Sequence, residues 1–103
     1  MSIHIDISKA MIETFCRQNH IRSLSLFGSV LRDDFGPDSD VDVLVEFEAG
    51  QGPGLMGLAE MEAELTEIFG HKVDLVERQA VEKSENYIRR RHILQSVEEV
   101  YVA

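Results

Sequence analysis

The chain has 103 residues, is 44% hydrophobic and carries a formal net charge of −9 at pH 7. This length suits one domain, residues 1–103, with a modest core, and no apolar stretch approaches membrane-spanning length. The acidic balance argues against non-specific binding to nucleic acid, because phosphate backbones attract positive charge. The one cysteine, Cys16, excludes an internal disulfide and is typical of a reducing cytoplasm.

Hydrophobic periodicity predicts two helices and two strands in the first half of the chain. The first helix begins after a cap at Asp6 or Ser8 and runs to about Asn19, with Cys16 on its inner face. The other three elements are a buried strand, a short helix after a Gly-Ser turn, and a second strand: Ile21–Phe27, Ser29–Phe35 and Val41–Phe47.

The second half predicts a longer amphipathic helix, Leu55–Phe69, which Gly70 ends. Its acidic residues, Glu60, Glu62, Glu64 and Glu67, are typical of a solvated helix face. The spacing of its apolar face leaves open whether Met61 or Glu62 lies inward. Four further segments follow: a strand at Val73–Val76, a polar passage at Glu77–Lys83, a helix at Asn86–Ser96 and a short strand at Glu98–Val102. The alternation of strands and helices predicts an α/β fold with a mixed sheet flanked by helices.

Two carboxylates at the start of the second strand are the first functional signal. Side chains alternate along a strand, so Asp40 and Asp42 share one face while Val41 and Val43 share the other. Such a pair repels itself unless a divalent cation lies between the two groups. Magnesium prefers hard oxygen ligands and is usually held by one or two carboxylates together with substrate phosphates.

A phosphate-binding turn is predicted next to this pair. Gly28 can adopt backbone angles that other residues avoid, which lets a phosphate approach the main chain. Ser29 begins the short helix, whose free N–H groups and hydroxyl can bind an anion. Arg32 lies one helical turn further on and can reach a phosphate, although a surface ion pair is the alternative. A carboxylate pair beside such a turn indicates a nucleoside triphosphate site.

A third carboxylate, Asp74, lies in the predicted strand Val73–Val76 and faces away from its apolar neighbours. Placed beside the second strand in one sheet, it can complete a triad with Asp40 and Asp42.

These residues carry a resemblance to a known family. Gly28-Ser29, a ten-residue spacer and Asp40-Val41-Asp42 match the signature of the DNA polymerase beta-like nucleotidyltransferase superfamily. The fuller string LFGSVLRDDFGPDSDVDVLVEF, Leu26 to Phe47, resembles the minimal nucleotidyltransferase (MNT) branch, many of whose members are antitoxins paired with HEPN-domain toxins. Arg32 matches a recurrent arginine of the family, whereas Asp33 stands where the family often has glycine.

The resemblance implies an enzyme that transfers AMP from ATP to a hydroxyl group. Two Mg²⁺ ions would be held by Asp40, Asp42 and Asp74, and Asp74 would also help to deprotonate the acceptor. Gly28, Ser29 and Arg32 would bind the nucleotide. The implied acceptor is a tyrosine of a cognate HEPN toxin, because the chain is too short to contain a substrate domain of its own.

Two alternatives remain open at the level of sequence. The chain could neutralise a toxin by binding alone, or it could modify a small molecule in a pocket that a partner chain completes. Arg89, Arg90 and Arg91 form the one basic run, which is typical of a solvated helix face but can also contact triphosphate, RNA or a partner. Association into homo- or hetero-oligomers is plausible because a lone small sheet exposes its edges.

Overall fold

The computed structural model describes residues 8–31, 35–36, 38–83, 85, 91 and 97–103, with only the backbone described at positions 29 and 55. These ranges contain three helices and four strands described along their length and a short 3-10 helix at Gly28–Leu31, with Arg91 as an isolated described helical residue. The α-helices are α1, Lys9–Gln18; α2, Leu55–Phe69; and α3, Arg78–Glu82. The strands are β1, Ile21–Phe27; β2, Val41–Phe47; β3, Val73–Glu77; and β4, Val97–Val102.

Helix boundaries follow the predicted caps. Ser8 is the N-cap of α1, and its Oγ accepts a hydrogen bond from the Met11 N–H at 3.4 Å. Asn19 ends α1, and its side-chain nitrogen Nδ2 donates to the Phe15 carbonyl at 2.8 Å. Gly70 ends α2 in the left-handed region, with φ of 72°, where glycine has no Cβ penalty.

The four strands form one mixed sheet in the order β3-β2-β1-β4. β1 is antiparallel to both β2 and β4, whereas β2 and β3 are parallel. Parallel neighbours need a crossover connection, and α2 supplies it here. The predicted α/β fold with a mixed sheet and flanking helices is therefore confirmed.

The main core lies between one face of the sheet and the helices α1 and α2. Alternate residues of the central strands contribute to it, so Val41, Val43 and Val45 are fully buried. Phe15 of α1 and Leu65 of α2 pack against them. Cys16 is also buried in this core, and burial raises the pKa of its thiol from 9.0 to about 12.

The opposite face of the sheet carries a second, smaller cluster that the sequence did not predict. Phe27 and Leu44 are buried there beneath Val81 of α3. The segment predicted only as a polar passage, Glu77–Lys83, contains the last residue of β3 and then the short helix α3, which the sequence did not predict. Sequence periodicity does not predict α3, because Val81 is the one buried side chain of this five-residue helix. The helix depends instead on packing against the sheet.

Three other predicted boundaries change or are untested. The short helix begins at Gly28 and ends at Leu31, so Phe35 lies outside it. The last strand begins one residue earlier than predicted, at Val97. The predicted helix over residues 86–96 lies outside the described residues except for Arg91, which is helical and exposed. No helix in the described ranges combines the length and the apolar character needed to cross a membrane.

Candidate active site

The parallel register of β2 and β3 places Asp42 directly opposite Asp74. Adjacent strands lie about 4.8 Å apart, and paired residues project from the same face of the sheet. Asp42 is half-buried and Asp74 is exposed, on the face opposite the main core. Asp40 lies one residue before β2 and is exposed. The fold thus puts Asp42 and Asp74 on two neighbouring strands at one end of the sheet, with Asp40 in the loop that leads into β2.

Gly28 approaches the Asp42 carboxylate so closely that any larger residue would displace it. Its φ is +77°, in the left-handed region that favours glycine. A Cβ at this position would overlap with Oδ2 of Asp42 and lie 3.2 Å from its Cγ. β1 and β2 produce this approach, since Phe27, the last residue of β1, pairs with Asp42. The turn predicted to cradle phosphate therefore lies against the Asp42 carboxylate.

The loop that precedes Asp40 is held in place by its own turn and by the residues before β3. Ser39 and Gly36 exchange two hydrogen bonds, from Gly36 N–H to Ser39 Oγ and from Ser39 N–H to the Gly36 carbonyl, both at 3.0 Å. His71 Nδ1 donates to the Ser39 carbonyl at 3.3 Å. The His71 ring also lies 5.0 Å from the Phe35 ring, centroid to centroid.

The sequence does not predict the hydrogen bond between His71 and the Ser39 carbonyl, because no local pattern links position 71 to position 39. The beginnings of β2 and β3 are joined in the same region by the bond from Val41 N–H to the Lys72 carbonyl at 2.8 Å.

The outer edge of β3 is bound by two side chains of α2. Thr66 Oγ1 accepts from the Val73 N–H at 3.1 Å, and Glu62 Oε2 accepts from the Leu75 N–H at 3.0 Å. Glu62 is half-buried. Its assignment to a solvated face is therefore wrong, whereas Glu60, Glu64 and Glu67 are exposed as predicted.

The remaining predicted site residues are only partly described. Arg32 lies outside the described residues, and of Ser29 the structure describes the backbone alone. In the described part of the chain no three His, Cys, Asp or Glu side chains are grouped closely enough to hold a metal ion together. The arrangement offers the facing pair Asp42 and Asp74, with Asp40 nearby. Magnesium commonly takes one or two carboxylates and completes its shell with water and substrate phosphates, so this donor set fits it.

Comparison with known proteins identifies the family of the chain. The family model described as a nucleotidyltransferase domain matches residues 9–99. The chain belongs to the nucleotidyltransferase domain family. It is accordingly a nucleotidyltransferase, and the resemblance to minimal nucleotidyltransferases is confirmed.

One similar curated protein is the protein adenylyltransferase MntA of Thermococcus cleftensis, which is 43% identical over 56 residues. That match covers 54% of this chain and 54% of MntA, so it spans about half of each.

Solved structures show the same fold. A chain of a toxin–antitoxin crystal structure with AMP-PNP superimposes with a TM-score of 0.71 at 19% identity, over 94% of this chain and 75% of that one. A second structure holds a tri-AMPylated HEPN toxin of Shewanella oneidensis in complex with an MNT antitoxin. A chain of it gives a TM-score of 0.58 at 18% identity, over 92% of this chain and 70% of that one.

Proposed function

We propose that this nucleotidyltransferase transfers AMP from ATP to a tyrosine hydroxyl of a cognate HEPN-domain toxin and thereby acts as its antitoxin. The observation that carries the proposal is the register of β2 and β3, which sets Asp42 opposite Asp74 beside Gly28. The relatives add support, because MntA is a protein adenylyltransferase and one structural neighbour contains an AMPylated HEPN toxin. The cytoplasmic location stays a prediction from the single cysteine.

The reaction is a substitution at the α-phosphorus of ATP. The tyrosine oxygen forms a bond to that phosphorus, the bond between the α-phosphorus and the bridging oxygen breaks, and pyrophosphate leaves. Asp74 accepts the proton of the attacking hydroxyl, since it is exposed where an acceptor protein can reach it. Gly28, Ser29 and Arg32 hold the nucleotide phosphates. Positioning and charge neutralisation supply most of the catalysis in phosphoryl chemistry.

Magnesium belongs to this proposal on the chemistry of the donors. Asp42 and Asp74, with Asp40, would hold it, and when bound it would neutralise charge on the triphosphate and lower the pKa of the attacking hydroxyl. The half-buried position of Asp42 suits this role, because a carboxylate partly withdrawn from water gains more from a nearby cation than an exposed one does.

The test is transfer of label from ATP labelled at the α-phosphate to the product of the adjacent gene, which the proposal expects to be a HEPN-domain protein. We expect label on that protein with the unaltered enzyme, and its loss by at least about a hundredfold in Asp42→Asn and Asp74→Asn, because removing one charge-stabilising group typically costs that much. Asp38→Asn is the matched control, since Asp38 is an exposed residue of the preceding loop. Thermal unfolding of each variant should stay near that of the unaltered protein.

Different outcomes separate the rival functions. Label that persists in Asp42→Asn would refute the assignment of the carboxylates. A stable complex without any label would favour neutralisation by binding alone. Neither label nor complex would redirect the search to small-molecule hydroxyls as acceptors.

A further inference from the structure

Two side chains on neighbouring turns of α2 hold the strand that carries Asp74. Thr66 and Glu62 are four residues apart, so they lie on one face of the helix. Thr66 Oγ1 accepts from the Val73 N–H at 3.1 Å and itself donates to the Glu62 carbonyl at 2.8 Å. The hydroxyl proton of Thr66 is therefore used in a bond within the helix, and a lone pair of Oγ1 accepts the bond from β3. Glu62 Oε2 accepts from the Leu75 N–H at 3.0 Å.

The two amide groups that are held this way flank Asp74 on both sides. β3 has five residues and lies at the edge of the sheet, where β2 is its one neighbour among the described strands. Amides of alternate residues in a strand point to the same edge, so those of Val73 and Leu75 face away from β2 while Asp74 pairs with it. The position of Asp74 relative to Asp42 is therefore set by the sheet on one side and by α2 on the other.

We infer that Glu62 and Thr66 are positioning residues for the active site. They fix β3 along α2 and so hold the Asp74 carboxylate at the height of Asp42. This inference rests on the proposed function, because it assigns a purpose to the position of Asp74. A merely structural role would need only that the two edge amides have acceptors, and water could supply one at the half-buried Leu75, although not at the buried Val73. A carboxylate acceptor gives a stronger and more directional bond than water, as fixing a strand requires.

The variants separate the acceptor atoms from charge and bulk. Glu62→Leu and Thr66→Val remove the acceptors, whereas Glu62→Gln and Thr66→Ser retain an oxygen at each position. Glu60→Leu is the control for placing leucine on this helix, since Glu60 is exposed. None of these residues belongs to the carboxylate pair or the phosphate turn.

Two measurements report on the position of Asp74 without depending on catalysis. The first is Mn²⁺ binding in the presence of AMP-PNP, followed by electron paramagnetic resonance, with Mn²⁺ standing in for Mg²⁺. The second is hydrogen exchange at the Val73 and Leu75 amides. We expect Mn²⁺ to bind about tenfold more weakly to Glu62→Leu and Thr66→Val, as loss of groups that orient metal ligands typically causes. Both amides should exchange faster.

Catalysis supplies the third measurement. At saturating Mg²⁺, kcat of the same two variants should fall about 10–100-fold while the KM for ATP stays within about twofold, because the phosphate turn follows β1 and the two side chains bind the amides of β3. Glu62→Gln and Thr66→Ser should restore Mn²⁺ affinity and kcat, and Glu60→Leu should match the unaltered protein.

Two failures can be told apart. If Glu62→Leu and Thr66→Val lower only the melting temperature, and bind Mn²⁺ and turn over normally when folded, the two residues are structural and the inference is refuted. If the unaltered protein neither binds Mn²⁺ nor transfers AMP, the proposed function is wrong and the inference falls with it.

Discussion

Replacing Gly28 by alanine tests the close approach between the phosphate turn and the carboxylate pair. Gly28 has φ of +77°, and a Cβ there would overlap with Oδ2 of Asp42 in its present position. Gly50 has nearly the same backbone angle, φ of +75°, but nothing lies within 4 Å of the position that a Cβ would occupy. Gly50→Ala is therefore a matched control that isolates the backbone cost.

The magnitude follows from the difference between the two sites. Alanine in the left-handed region costs roughly 1–2 kcal/mol at either position. Gly28→Ala additionally forces the Asp42 side chain out of its preferred rotamer, which costs about 1 kcal/mol more. For a domain of this size that extra cost lowers the melting temperature by about 4–8 °C relative to Gly50→Ala.

The effect on AMP transfer should be larger, because displacing a reacting group by about 1 Å can cost about a hundredfold in rate. Circular dichroism melting curves and label transfer measure the two effects. In an Asp42→Ala background the extra cost of Gly28→Ala should vanish, since the clashing carboxylate is gone. Equal melting temperatures for Gly28→Ala and Gly50→Ala, together with full transfer by both, would refute the steric argument.

Three further predictions concern the core. Cys16 is buried, and burial raises the pKa of its thiol to about 12. The native protein should therefore react with a thiol reagent at pH 8 only as fast as it unfolds. Rapid labelling without denaturant would contradict this. Between pH 9 and about pH 12 the unfolded chain loses a thiol proton that the folded chain keeps. Stability to urea should therefore fall as pH rises through this range, by at most about 1.4 kcal/mol per pH unit from this group, and less steeply in Cys16→Ala. Leu65→Ala removes a fully buried side chain of α2. In urea titrations it should lower the free energy of unfolding by about 2–5 kcal/mol. A loss below about 1 kcal/mol would mean that the core is packed less tightly than the structure shows.

Local patterns predicted the elements that bury long periodic faces. The bounds of β1, β2 and α2 agree with the structure, because each carries either a continuous apolar run or a repeating apolar stripe between turn residues. α3 was missed, since Val81 is its single buried residue and it has no side-chain cap. What the sequence could not supply was the second small core on the far face of the sheet.

The candidate site divides in the same way. The spacing of one motif predicts Gly28, Asp40 and Asp42 as site residues. The alternation of side chains along a strand predicts Asp74. The roles of all four residues remain predictions. His71 and Glu62 could not be found, because each acts through a contact to a residue distant in sequence, the Ser39 carbonyl and the Leu75 amide. Glu62 was assigned to solvent because acidic residues on a helix are usually exposed, and a half-buried carboxylate bound to a strand edge gives no distinct local signal.

The parallel pairing of β2 and β3 also bears on when the site forms during folding. Asp42 and Asp74 meet only after the fifteen-residue helix α2 has crossed over and docked, whereas β1 and β2 pair with a shorter intervening loop. Contacts between distant segments require more loop-closure entropy and tend to form late. A nascent chain that ends at Phe47 already contains the phosphate turn and Asp42 but lacks the facing carboxylate. We therefore expect transferase activity to appear in one step, when β3 docks beside β2. Partly folded chains should have no transferase activity.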